Sequence, residues 1–273
     1  MVRSLWTAAS GMIAQQTNVD TIANNIANVN TTGYKTETNE FKSLLYQNIQ
    51  TKTTTANGEN KPIGAQVGLG VRNASITSQF TQGALLASEN DTAFAVNGEG
   101  FFAVKGEDGE TYYTRNGNFN FNIGDNNTLV LSTSDGLPVL GTNGQPITVP
   151  HDTIVSKIEV TTDGKIMYPD ANNNMQQLNN LQIGLFQFQN PSGLNKEGDA
   201  LYSVTAASGV ALNEATNANL TKSELRQGYL EGSNVQIADE MVNLIIAQRA
   251  YEMNSKAITT ADTMMQEANE LKR

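Results

Sequence analysis

Apolar residues recur every seven positions at both ends of this 273-residue chain. A seven-residue apolar repeat is typical of helices that pack along a seam, as in a coiled coil. One such stripe at each end predicts two long helices, over residues 1–33 and 233–273, that pair with each other. The stripes consist of Leu5, Met12, Val19 and Ile26 at the N-terminus, and of Ile237, Leu244, Tyr251, Ile258 and Met265 at the C-terminus, where Met241 is a further contact residue.

The N-terminal helix has little charge to present to water, since residues 1–30 contain only Arg3 and Asp20 as charged residues. Its polar residues are mostly amides and hydroxyls, although asparagine is a poor helix former. Ordinary packing inside its own domain is the simpler reading of any apolar stripe. A nearly uncharged circumference nevertheless favours burial among neighbouring copies. The expected assembly residues here are Ile22, Val29 and the amides Asn24, Asn25 and Asn28, which would bond sideways or line a polar channel.

Local signals delimit both helices. Gly33 is expected to end the first helix in a left-handed conformation. Ser233 stands three residues before Gln236, a capping-box spacing that predicts the start of the second helix. Asp239 and Glu240 follow near the positive helix end, and the closing cations would be Lys272 and Arg273.

The middle of the chain is typical of strands and turns. The sequences "NGEG", "GEDGE" and "RNGN" are turn signals between alternating runs. Residues 96–205 are therefore predicted to form a mostly antiparallel outer β domain, which makes the fold class α+β. Residues 34–95 and 206–232 are predicted to be an extended or β connecting region, and its polar, glycine-containing part 46–71 to be a long loop or ribbon.

Composition excludes several functions. The net charge is −10 with no basic cluster, which argues against nucleic acid or anionic lipid as a partner. The chain has no cysteine and one histidine, His151, so thiolate or multi-histidine metal sites cannot be built. "GEGFFA" at residues 98–103 runs into a hairpin pattern rather than a helix, which favours a turn over a dinucleotide site. No catalytic, cofactor-binding or metal-binding residue is predicted.

Neither a membrane span nor a cleaved secretory signal is expected, because no apolar run is long enough for a span and the first residues lack the continuous apolar core of a signal peptide.

Long motifs at both ends resemble those of a known family. "AASGMIAQQTNVDTIANNIANVNTTGYK" (8–35) and "LRQGYLEGSNVQIADEMVNLIIAQRAYEMNSKAITTADTMM" (225–265) resemble the terminal signatures of flagellar basal-body rod and hook proteins. "VNGEGFFAV" and "YYTRNGNF" resemble the β-domain motifs of that family. The order "FKSLLYQNIQ", a polar stretch, then "GAQVGLGVR" resembles the distal-rod members. The resemblance assigns to their rod-specific segment Tyr46, Gln47, Pro62, Gly64, Gly68 and Gly70.

The resemblance implies a structural subunit rather than an enzyme. Such subunits form a rigid helical tube, the distal rod, which transmits motor torque to the hook and encloses the export channel. The implied partners are further copies of the chain, other rod proteins, hook or hook-junction proteins, basal-body ring proteins and the flagellar export apparatus. The implied location is the basal body outside the cytoplasmic membrane, in the periplasm or cell-wall layer, reached without a cleaved signal peptide.

Alternatives remain open at this point. Another flagellar axial protein, either a hook or a different rod subunit, would share the terminal motifs. A secreted coiled-coil adhesin would share the acidic, cysteine-free composition, and a wall-glycan hydrolase could use carboxylates that no pattern nominates. Two further expectations concern behaviour: a protease-resistant core near residues 75–225 in the monomer, and a more bendable polymer after deletion of residues 51–61.

Overall fold

A computed structural model describes residues 2–50, 65–124, 128–170, 174–217 and 219–271. The chain divides into two units. Unit 1 comprises Met1–Ala27, Glu37–Ser78 and Gln236–Arg273, and unit 2 comprises Asn28–Thr36 and Gln79–Val235. A helix at each end and strands between them make the fold α+β, as predicted.

Unit 1 contains both helices and two antiparallel ribbons. Strand β1 pairs with β4 across a bulge at Glu40/Phe41, and β2 pairs with β3. Helix α1 packs against α2 and against the β1–β4 ribbon. The elements are α1 (Val2–Ala27), β1 (Glu37–Ser43), β2 (Tyr46–Gln50), β3 (Ala65–Gly68), β4 (Val71–Ser78) and α2 (Ile237–Glu270).

Helix α1 ends at Ala27, which corrects the predicted end at residue 33. The asparagine-rich residues that follow form a turn, closed by a bond from the Thr31 amide to the Asn28 carbonyl at 3.2 Å. The side chains of the same two residues also bond to each other, since the Thr31 hydroxyl donates to Asn28 Oδ1 at 3.1 Å. Asparagine and threonine favour turns over helix interiors because their side chains form local bonds of this kind. Gly33 does have the predicted positive φ, +71°, but as a loop residue whose amide donates to the Glu231 carbonyl.

Helix α2 begins at Ile237, and the predicted capping box of Ser233 and Gln236 is wrong. Gln236 occupies the N-cap position and makes no side-chain cap bond. The Ser233 hydroxyl instead accepts from the amide of Val235, two residues on, so it stabilises the preceding turn. Asp239 and Glu240 lie in the first turn as expected, whereas Lys272 and Arg273 lie outside the described residues.

Unit 2 consists of strands that pair only in antiparallel fashion in its described part. The largest sheet has the order β16-β17-β8-β7-β15-β18, and two three-stranded sheets have the orders β11-β10-β9 and β12-β13-β14. Strands β19 and β20 pair with β6 and β5. The strands are β5 (Leu85–Ala87), β6 (Phe94–Asn97), β7 (Phe101–Lys105), β8 (Thr111–Thr114), β9 (Phe119–Ile123), β10 (Thr128–Thr133), β11 (Thr148–Pro150), β12 (Glu159–Val160), β13 (Lys165–Pro169), β14 (Met175–Gln182), β15 (Leu185–Gln187), β16 (Asn195–Gly198), β17 (Leu201–Ser203), β18 (Leu212–Asn213), β19 (Glu224–Gln227) and β20 (Tyr229–Glu231).

Strand β7 shows how unit 2 is held together. Its side chains alternate between two apolar clusters, with Phe102 and Val104 in the larger and Phe101 and Ala103 in the smaller. Alternation along a strand places successive side chains on opposite faces, so this strand is buried on both sides. Gly98, at φ +136°, leads into this strand and not into a helix, as the turn reading of "GEGFFA" predicted.

The described strands between the two helices pair in antiparallel fashion, which confirms the mostly antiparallel β middle. The bounds 96–205 for an outer domain stay a prediction, and the pairing in unit 2 runs from β5 to β20. The predicted division into paired helices, connecting region and outer domain describes positions in an assembled tube. It stays a prediction, because the structure is of one chain.

Candidate functional site

The heptad residues of α1 are only half-buried. Leu5, Met12, Val19 and Ile26 each keep part of their surface exposed, while Ile22 is buried. Val29 and Asn28 are half-buried in the turn after the helix and so do not continue its stripe. The buried residues of α1 are Ala8, Ala14, Thr21, Ile22 and Asn25.

The apolar stripe residues of α2 are more exposed than residues buried along a helix–helix seam would be. Leu244, Ile258 and Met265 are half-buried, while Ile237, Met241 and Tyr251 are exposed. The buried positions of α2 in its described part are Glu240, Ala247 and Ala261.

Small and polar residues take part in the contact between the two helices. Gly11 of α1 lies against Asn254 of α2 so closely that a Cβ on Gly11 would be 2.8 Å from Asn254 Nδ2. The α2 residues Glu240, Ala247, Asn254 and Ala261 also stand seven apart, so a heptad search that accepted small and polar residues would have found them. The helices therefore pack together, and the interlocking geometry of a coiled coil stays a prediction.

Asn25 is buried and bonds to the backbone of β1. Its Nδ2 donates to the Glu37 carbonyl and its Oδ1 accepts from the Glu37 amide, both at 2.9 Å. The side chain thus bonds to both backbone groups of Glu37, as a neighbouring strand would, at the start of β1. An asparagine inside a helix is explained here by a contact within the chain, and any assembly role of Asn25 would act through β1. Asn24, by contrast, is exposed.

Glu240 lies close to this contact at the start of α2. Burial raises the pKa of its carboxyl above the ordinary 4.5, a side-chain hydrogen bond with Asn25 lowers it, and the charge of Asp239 raises it. Glu240 also lines a cavity of about 280 Å³ with Ile22, Asn39 and Phe41. The Asn39 amide is buried there without a hydrogen-bond partner in the described part of the chain.

Large apolar side chains on both helices face solvent in the single chain. Trp6 is 73% exposed and Ile13 is 68% exposed on α1. Trp6 and Ile13 stand seven residues apart and so lie on the same face of α1. The corresponding exposed residues of α2 are Met241, Val242, Ile245, Ile246, Met253 and Met264.

The rod-specific segment is a two-stranded ribbon in its described part. Tyr46 pairs with Gly68, whose missing side chain leaves room for the Tyr46 ring, 3.3 Å from the position of a Cβ. Leu45 and Ile49 are 83% and 60% exposed, and Gln47 is exposed as well. Pro62 and Gly64 lie outside the described residues.

Gly70 joins the rod-specific segment to α1. It has φ +118°, and the Ser10 hydroxyl of α1 fills the space of its missing side chain. The same hydroxyl accepts from the amide of Val71 at 3.3 Å.

No catalytic arrangement emerges from the described residues. They contain no cluster of histidine and acidic side chains that could hold a metal ion, and none of their helices could span a membrane. A cleft of about 220 Å³ in unit 2 is lined by Lys165, Glu214 and Lys222. There Glu214 accepts from Gln187 and from Ser223, so its carboxylate holds loops together.

Known proteins match the chain along its whole length. Residues 5–35 match the family described as flagella basal body rod protein, and residues 95–168 match the flagellar hook protein FlgE/F/G D1 domain. Residues 226–271 match the flagellar basal body rod FlgEFG protein C-terminal family.

Three relatives, each described as flagellar basal-body rod protein FlgG, show the extent of the similarity. The Borreliella burgdorferi protein is 44% identical over 279 residues, covering all of both chains. The Agrobacterium fabrum protein is 43% identical over 96% of this chain and 97% of its own, and the Bacillus subtilis protein is 38% identical over all of both. The chain belongs to the flagellar basal-body rod protein family, whose members are structural subunits and not enzymes.

Proposed function

We propose that this protein is a structural subunit of the flagellar distal rod, which polymerises into a rigid helical tube that transmits torque to the hook and encloses the export channel. The full-length similarity to FlgG rod proteins supports the rod assignment. The observation that supports polymerisation is the exposed apolar surface of α1 and α2 in unit 1.

Exposed apolar helix surface provides the driving force for assembly. Each large apolar side chain that a neighbour covers contributes roughly 1.5–3 kcal/mol. Helix α1 has only Arg3 and Asp20 as charges, so few ions would lose their hydration when it is surrounded. Directional bonds from the polar side chains would then fix the angle between copies, as a stiff shaft requires.

The finer features of the proposal rest on the family relationship. In the assembly, α1 and α2 form the inner wall as a coiled coil, and the β domain faces outward. The partners are other rod proteins, hook or hook-junction proteins and basal-body ring proteins. The subunit reaches the periplasm or cell-wall layer through the flagellar export apparatus without a cleaved signal.

The ribbon of β2 and β3 is proposed to bridge neighbouring subunits. Tyr46 and Ile49 lie on β2 and Leu45 directly precedes it, and the described part of the chain leaves all three side chains exposed. A bridge of this kind would restrict bending, which is the property that separates a straight rod from a flexible hook.

The assembly surface can be tested with a matched pair of substitutions on α2. Ile245→Asp introduces a charge into the exposed apolar surface, and Gln248→Asp introduces the same charge at an exposed polar position one turn away. We expect tubes from wild type and Gln248→Asp in electron micrographs of concentrated protein, and none from Ile245→Asp. Tubes from Ile245→Asp in wild-type yield would contradict the proposed surface.

A further inference from the structure

Three charged side chains from distant parts of the sequence meet in the interior of unit 2. Glu231 Oε1 lies 2.6 Å from Lys35 Nζ, and Glu231 Oε2 lies 3.3 Å from Arg115 Nη1. All three side chains are at most 2% exposed. The Gly83 amide also donates to Glu231 Oε1 at 3.0 Å, so this carboxylate accepts from three donors. We call Lys35, Arg115 and Glu231 the buried triad.

The buried triad contains two cations and one anion, Glu231. The charges of Glu214 and Glu99 also raise the pKa of Arg115, after the larger effect of Glu231. In the described part of the chain, Glu231 is the carboxylate with which both cations form ion pairs. Burial lowers the pKa of Lys35 and of Arg115, and the charge of Glu231 opposes this in each case. Removing the anion would leave two like charges in the interior without their shared ion-pair partner. The Phe101 ring, 5.0 Å from the Arg115 guanidinium carbon, attracts that cation but carries no charge to balance it. Unpaired buried charges are strongly destabilising.

The three members enter the fold at very different points of the chain. Lys35 belongs to the short N-terminal segment of unit 2, and Arg115 follows strand β8. Glu231 ends strand β20, 196 residues after Lys35 and only a few residues before unit 2 ends. The anion therefore arrives with the last part of the chain that unit 2 needs.

The segment that carries Glu231 makes other closing contacts. The Glu231 carbonyl accepts from the Gly33 amide at 2.8 Å. Asn234 Oδ1 accepts from the Thr36 amide at 2.7 Å, and Asn234 Nδ2 donates to the Gln79 carbonyl at 2.9 Å. Strands β19 and β20 complete the pairing of β6 and β5. Residues 33–36 and 224–235 therefore hold each other in place.

We infer that the buried triad is a closure latch, which makes the closed form of unit 2 conditional on the arrival of residues 224–235. Before they arrive, Lys35 and Arg115 cannot be buried together with the carboxylate that pairs with both, so residues 33–36 stay open. Once Glu231 is inserted, both chain ends of unit 2 are held together in one step. For assembly, a consequence that rests on the proposed function follows: an incompletely delivered subunit does not offer its closed form to the rod.

Hydrogen–deuterium exchange of the full chain as a monomer tests the latch. Glu231→Gln keeps the size of the side chain and removes its charge. We expect exchange to accelerate about tenfold or more at residues 33–36, 83–87 and 224–235, while strands β10 and β11 change by less than about threefold, because the latch opens locally. The matched control is Glu252→Gln, which removes the carboxylate charge of the exposed Arg249–Glu252 pair and should leave exchange in unit 2 unchanged.

Lys35→Met tests the role of charge balance. It removes one buried cation and leaves Arg115 and Glu231 as a balanced pair, so we expect exchange at residues 224–235 to rise less than about threefold. An equal effect of Lys35→Met and Glu231→Gln would overturn the inference. So would a uniform increase across unit 2, or acceleration at 224–235 with no change at 33–36.

A further variant tests the latch even if Glu231→Gln does not fold. Glu231→Asp keeps the charge but withdraws it by one methylene from Lys35, and should give acceleration in the same three segments that is smaller than the Gln variant's tenfold. Wild-type exchange in Glu231→Asp would overturn the latch. Because the measurement uses monomer, a failed latch leaves the rod proposal intact, and a failure to form tubes leaves the latch result intact.

Discussion

At the scale of single residues, buried polar groups decide the local structure around α1. Asn25 satisfies both backbone groups of Glu37, and Glu240 is buried beside it. The sequence identified the unusual asparagines of the first helix. It could not tell which of two adjacent asparagines faces inward, since both occupy a helix whose other face would also be covered in an assembly.

A pair of leucine substitutions separates these two asparagines. Asn25→Leu leaves the Glu37 amide and carbonyl without their partner, which should lower the free energy of unfolding of the monomer by roughly 2 kcal/mol or more. Asn24→Leu changes the exposed side chain of the preceding residue and should shift the free energy of unfolding by less than about 0.5 kcal/mol. Thermal unfolding followed by the helical circular dichroism signal measures both. Equal losses in the two variants would argue against the Asn25–Glu37 contact.

The raised pKa of Glu240 predicts a pH dependence of stability. Between pH 4.5 and its folded-state pKa, the folded chain binds a proton that the unfolded chain has released, so stability falls as pH rises through this window. Glu240→Gln removes the buried charge and keeps an acceptor for Asn25. Its melting temperature should exceed that of wild type by on the order of 2 °C at pH 8. The difference should disappear at pH 4, and a constant difference across pH would contradict this reading.

At the scale of elements, the helices and the ribbon were predictable to different degrees. Periodicity predicted both helices, because side-chain spacing along a helix depends on local geometry alone. It was less successful for their ends. A backbone turn from Asn28 to Thr31 follows the first helix, and the Ser233 hydroxyl accepts from the Val235 amide before the second. The pairing of β2 with β3 was expected only as a loop or ribbon, because its pattern is polar throughout.

The exposed apolar residues of the ribbon should affect the polymer and not the monomer. Leu45→Ser combined with Ile49→Ser removes apolar surface that the described part of the chain leaves exposed, so the monomer melting temperature should change by less than about 2 °C. Tubes of this variant should bend more in electron micrographs, while Asn48→Ser, between the two positions, should leave them straight. Tubes of the double variant as straight as wild type would refute the bridging role.

At the scale of the whole molecule, the two units differ in what they contain. Unit 2 has two apolar clusters of its own and the buried triad. Unit 1 consists of helices and ribbons with much apolar surface facing solvent. Isolated helices depend on packing partners for most of their stability. Unit 1 is therefore the part that polymerisation would complete.

Limited proteolysis of the monomer should reflect this difference. We expect protease to trim both terminal helices first and to leave a resistant fragment that contains residues 79–235, slightly longer at its C-terminal side than the core near 75–225 expected from sequence alone. Mass spectrometry of the fragments gives the boundaries. In assembled tubes the helices should become resistant. Helices that resist protease in a proven monomer would count against the marginal stability of unit 1.

The sequence by itself determined the α+β class, the approximate positions of both helices, the turns around the β strands and the family. These depend on local spacing and on long motifs, which a single chain displays directly. Only the tertiary structure decided that Asn254 lies against Gly11 of α1, and that Lys35 and Glu231 form an ion pair. The physical reason is that burial and pairing depend on which distant segments meet, and a contact across 196 residues leaves no periodic trace in the sequence.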